Sequence, residues 1–66
     1  MSAVLLRIRL QEATRVYQSA LETQRRIQHL CDLEMTPIES APLLAQVAAE
    51  VEEHRQTMTE AWEMAR

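Results

Sequence analysis

Residues 44–65 read LAQVAAEVEEHRQTMTEAWEMA, and within them Leu44, Val47, Val51, His54, Met58, Ala61 and Ala65 recur at alternating steps of three and four. That period puts all seven side chains on one seam of an α-helix. The opposite face holds Ala45, Ala49, Glu52, Gln56 and Glu63, all small or polar. The stretch therefore predicts a helix that buries one side and turns the other to water, half of a coiled-coil-like pair.

The first half of the chain supplies the other member. Ser2 is placed to cap a helix whose apolar positions run Leu6, Leu10, Ala13, Val16 and Tyr17, then Ala20, Ile27, Leu30 and Cys31. The stripe thins at Thr23 and Gln24, which predicts looser packing midway along the pair. Val4 and Ile8 point to the back of this helix and Leu5 to its flank, so this group finds no partner inside one chain. VLLRIRL at 4–10 also fits a strand, but with no second strand to pair with, helix is the better reading.

Both prolines lie between the stripes, so the break falls there. Thr36-Pro37-Ile38-Glu39 has capping-box spacing with proline at the first helical position. In a helix begun at Pro37, however, the ring of Pro42 would meet the carbonyl of Ile38 and remove one backbone bond. The expected solution is a single turn at Pro37–Ser40, with Ser40 capping the long helix. The predicted fold is all-α: one domain over 1–66, an antiparallel two-helix hairpin with helices over about 3–33 and 40–65 and a turn over about 34–40. Folding about residues 37 and 38 sets Ile27 near Val47, Ala20 near His54, Val16 and Tyr17 near Met58, and Leu10 near Ala65. It also lays Trp62 over Ala13, where large meets small and fixes the register.

At 66 residues the chain is near the lower limit for a self-supporting core. With no Gly and 3% aromatics it lacks the positive-φ turns of a hairpin-rich β fold. The net charge of −3 is small and of the wrong sign for nucleic acid. Its distribution is uneven: residues 1–31 carry five Arg against two Glu, net +3, and residues 32–66 carry eight acids against two Arg, net −6. These fields favour antiparallel pairing, with Arg25 or Arg26 near Glu50 and Arg15 near Glu60, each exposed pair being worth ~0.2–1 kcal/mol. The apolar run at Met1–Leu10 is broken by Arg7 and Arg9, which does not read as a signal peptide. No run approaches the ~20 residues of a membrane span. A lone Cys31 forms no internal disulfide, and a cytoplasmic location is expected.

Chemistry is sparse. His54 follows Glu50 by one helical turn, a spacing at which imidazole and carboxylate can share a proton or a metal. Two ligands do not make a site, Glu-x-x-His fails because residue 51 is Val, and a structural His paired with Glu50 or the Tyr17 hydroxyl is the commoner case. His29, Cys31 and Asp32 fall on different sides of a helix, and without Gly there is no phosphate-cradling loop. No cofactor, metal or catalysis is expected. Two helices leave half of each seam side chain uncovered, so the chain should complete a bundle with a second copy or another protein. The docking surface is expected at Val4, Leu5 and Ile8, ringed by Arg7, Arg9 and Arg15, which favour an acidic rim on the partner.

In outline, a small helical hairpin of this length with a polar-capped, proline-containing turn resembles the YscE-like co-chaperones of bacterial type III secretion. The resemblance implies a non-enzymatic assembly subunit that binds a helical chaperone and helps stabilise a secretion component. A self-associating homodimeric four-helix bundle with a structural or regulatory role is the alternative.

Overall fold

The computed structural model describes residues 2–65, leaving Met1 and Arg66 outside the description. It consists of two helices, α1 at Ala3–Glu34 and α2 at Pro37–Met64, packed antiparallel along their length. The body measures 49 × 14 × 12 Å. Its radius of gyration of 15.2 Å exceeds the ~11 Å of a compact chain of this length. The all-α hairpin is thus the observed architecture, with an elongated outline that two layers of helix cannot avoid.

Each helix begins on a side-chain cap. Ser2 Oγ accepts the Leu5 N–H at 3.2 Å, and Thr36 Oγ1 accepts the Glu39 N–H at 3.3 Å. Each cap satisfies one of the backbone donors that the first turn of a helix leaves free. The expected turn over 34–40 is corrected: α2 starts at Pro37, capped by Thr36, and the connection is only Met35 and Thr36. Both are extended, at φ −128° and −75°. An extended residue before proline is what the pyrrolidine ring enforces. The turn therefore needs no positive φ, which is how a chain without Gly closes it.

Pro42 stays inside α2, so the expected cap at Ser40 does not form. The reason is the side on which the proline lies. Pro42 and the 88%-exposed Ile38 are on the outward face, where the carbonyl that loses its donor can be hydrated and where a helix curving round its partner opens the ladder anyway. Ser40 instead occupies a seam position at 5% exposure and donates from Oγ to the Pro37 carbonyl at 3.4 Å.

The seam is a continuous three-four alternation on both helices. On α1 the covered positions are Leu6, Leu10, Ala13, Tyr17, Ala20, Gln24, Ile27 and Cys31; on α2 they are Ser40, Leu44, Val47, Val51, His54, Met58 and Ala61. Four expected seam members lie off it. Val16 and Leu30 each precede a true seam residue and turn to the flank, at 46% and 52% exposure. Trp62 follows Ala61 and stands 53% exposed beside Arg7 and Leu10 instead of over Ala13. Ala65 is exposed at the open end. Of the pair expected to thin the stripe, Thr23 is exposed and borders an opening between the helices, whereas Gln24 is partly covered. Gln24 takes a seam position, its aliphatic stem giving cover that its amide alone would not. The buried side chains, Cys31, Ser40, Val47 and Val51, lie between the turn and the middle of the hairpin, so the open end is the weakly packed one.

Candidate functional site

The feature best placed for function is the groove that the two helices leave along one flank. Its outer part, about 340 Å³, is bordered by Leu6, Arg9, Ala13 and Val16 from α1 and by His54, Thr57, Ala61 and Met64 from α2. Its inner part, about 450 Å³, runs on past Val16 and His54 to Ile27 and Val47. Small residues explain the opening. With Ala13, Ala20 and Ala61 along the line where the helices meet, the backbones approach but the side chains do not fill the flank. Glu50 and Glu60 rim the α2 side, and Arg9, Glu12 and Arg15 rim the α1 side.

His54 lies at the centre of this groove, half-buried and bordering both parts. The expected pairing with Glu50 or the Tyr17 hydroxyl is corrected: among the described residues neither group hydrogen-bonds to the imidazole. Glu50 is exposed and keeps its hydration, which an exposed pair worth ~0.2–1 kcal/mol does not overcome. Among the described residues no group of three or more His, Cys, Asp or Glu side chains is placed to hold a metal ion.

No family model, curated protein or solved structure matches this chain. The site is therefore argued from its own geometry.

The interhelical ion pairs expected from Arg15, Arg25 and Arg26 are not formed, and the single ion pair among the described residues lies within α2. Arg55 donates to both oxygens of Glu52, from Nε at 2.8 Å and Nη2 at 2.5 Å. These hydrogen bonds hold the Glu52 carboxyl below its ordinary range and the guanidinium above its own. Adjacent turns of one helix bring such a fork together with little ordering, whereas bridging two helices freezes two long side chains. The charge split between the helices thus acts as a diffuse field and not through discrete contacts.

Val4, Leu5 and Ile8 stand at 66%, 54% and 44% exposure on the first turns of α1. Reasoning from sequence missed the companion surface: Leu30, Leu43 and Met64, at 52%, 40% and 56%, are exposed as well. The signal for Leu43 was present, since it precedes the seam residue Leu44 by one step, or about 100°, and so falls beside the stripe. No helix among the described residues is long and apolar enough to cross a membrane.

Proposed function

We propose that this protein is a non-enzymatic assembly subunit, a helical hairpin that completes a bundle with another polypeptide. One observation carries the reading. The chain exposes 5360 Å², whereas a compact monomer of 7.7 kDa exposes about 4,300 Å². The surplus of roughly 1,000 Å² is comparable to the ~800 Å² that one partner contributes to a standard interface. Much of it is aliphatic: Val4, Leu5, Val16, Leu30, Leu33 and Ile38 are all between 46% and 88% exposed. Isolated apolar residues at a surface need no explanation, but a chain with four buried side chains and this many uncovered aliphatics has more face than core.

The patch at Val4, Leu5 and Ile8, with Arg7 and Arg9 interleaved, supports docking at the open end of the hairpin against an acidic-rimmed partner. The resemblance to YscE-like co-chaperones supplies one identity for that partner, a helical chaperone or secretion component; a second copy supplies the other. Sedimentation and helicity of the purified chain at micromolar concentration test the proposal. Association, or a poorly helical monomer that orders only when covered, supports it; a fully helical monomer with cooperative, concentration-independent melting refutes it.

A further inference from the structure

We infer that the groove flank is closed by a second copy of this chain, the two hairpins being related by a two-fold axis parallel to their helices, so that α1 of each copy lies on α2 of the other. The inference rests on the assembly reading above and adds the face, the occupant and the geometry.

The face is set by helical spacing. Val16 and Met64 border the groove directly. Leu30 follows Ile27 by three, Leu43 precedes Val47 by four, and Leu5 precedes Arg9 by four, and each of those reference residues borders the groove. Side chains three and four apart share a face, so all five belong to one flank. Their exposures, from 40% to 56%, are what a stripe awaiting cover shows. The other flank is more polar: Trp62 stands there among Arg7, Gln11, Thr14 and Gln18, Leu21 is already partly covered, and Val4, three before Arg7, is the other exposed aliphatic on it.

The occupant and its orientation follow from charge and height. Two hairpins can stack on this flank with a two-fold axis crossing the helices, which lays α1 on α1 and α2 on α2. That arrangement brings Glu50 and Glu60 on one α2 rim against the same residues of the second copy. Like charges facing across an interface oppose it. With the axis parallel to the helices, the acidic α2 rim instead meets the α1 rim, where Arg9 and Arg15 outnumber Glu12. A parallel axis also allows no axial shift between copies. Each α1 then meets the second copy's α2 at the heights where it meets its own: Leu30 comes to Leu43 of the second copy, and Leu5 comes to Met64. Exposed aliphatic meets exposed aliphatic at both ends, and Val16 covers Thr57 between them. Every neighbouring pair of helices is antiparallel, as in an up-down four-helix bundle. The surplus surface of roughly 1,000 Å² per chain is enough for one side of such an interface.

The experiment uses the full chain in a Cys31→Ala background, with helicity checked by circular dichroism. Leu30→Cys and Leu43→Cys chains are mixed and mildly oxidised, and Val16→Cys is oxidised alone, with sedimentation run in parallel. The expected result is a dimer in which the mixture gives a covalent 30–43 link, while neither variant alone nor Val16→Cys links to itself. A dimer with a Val16→Cys self-link, or with neither link, overturns the parallel two-fold and leaves the assembly reading standing. A poorly helical monomer overturns the second copy as occupant and keeps a different protein as partner. A fully helical monomer overturns both. Should C31A unfold the chain, the same links are read by peptide mass spectrometry in the native background, where the 2%-exposed thiol is shielded.

Discussion

Two valines separate the seam from the groove, because the same substitution at each asks a different question of the fold. Val51 is 8% exposed on the seam, and Val16 is 46% exposed on the groove flank. Truncation to Ala removes two carbons, each worth about 0.8 kcal/mol when fully buried. At Val51 nearly all of that is lost, and a cavity term is added because the surrounding helices relax only partly, for a total of about 2 kcal/mol. At Val16 about half the transfer term applies, and the space left opens to water, so the isolated hairpin loses about 0.8 kcal/mol. At 4–8 °C per kcal/mol for a chain of this size, V51A lowers the melting temperature by about 8–16 °C and V16A by about 3–6 °C. Thermal denaturation followed at 222 nm, under conditions where sedimentation shows monomer, reads both. Equal shifts there would refute the register of the seam. At higher concentration, where a second copy covers the groove, the V16A loss should grow toward the V51A value; a gap that does not change with concentration argues against that cover.

Three further outcomes follow from individual side chains. His54→Leu should raise the melting temperature by about 4–8 °C, because it replaces an unpaired imidazole on the seam with aliphatic volume worth about 1 kcal/mol; a lower melting temperature would mean that the imidazole is held by a partner. Pro42→Ala should stabilise the chain by about 1 kcal/mol by restoring the donor to the Ile38 carbonyl, less than the ~3 kcal/mol of a mid-helix proline because the lost bond faces water; destabilisation on urea denaturation would show that the proline shapes α2 to fit α1. The Glu52 carboxyl should titrate below 4.5 by NMR, because the Arg55 fork favours its charged form. A depressed carboxylate contributes stability above its unfolded value and loses it as pH falls through the folded one, so the pair should fade only on acidification below that range. Titration at or above the ordinary value would refute the fork.

The hairpin was legible in sequence because both its determinants are periodic. The alternation from Leu44 to Ala61 survives intact in the structure, since a three-four spacing can be satisfied only by a helix with one buried seam. Apolarity does not fix position: Val16 and Leu30 are aliphatic yet lie beside the seam, and Gln24 is polar yet lies on it. The covered set on α1 keeps strict spacing through Gln24 and leaves both aliphatics outside. Pro42 is a related case: the cost of a helical proline depends on which face it occupies. That face is set by the pairing of the helices, which no local rule supplies.

The same displaced residues bear on the proposed assembly. An aliphatic residue displaced by one step from a seam costs a folded monomer apolar exposure, and a chain gains nothing from such a residue unless something covers it. Val16, Leu30 and Leu43 are all displaced toward the groove and none toward the flank of Trp62. On the groove side these residues form a second contact line beside the seam, as on a helix that packs against two neighbours, whereas on the other flank Leu21 is already partly covered. The charge split follows the same logic. A first helix with five Arg against four acids and a second with one Arg against six favour antiparallel pairing within the chain, and on the proposed parallel two-fold they favour it again between chains. In the proposed bundle one asymmetry would then favour all four helix contacts, without discrete interhelical ion pairs, none of which forms among the described residues.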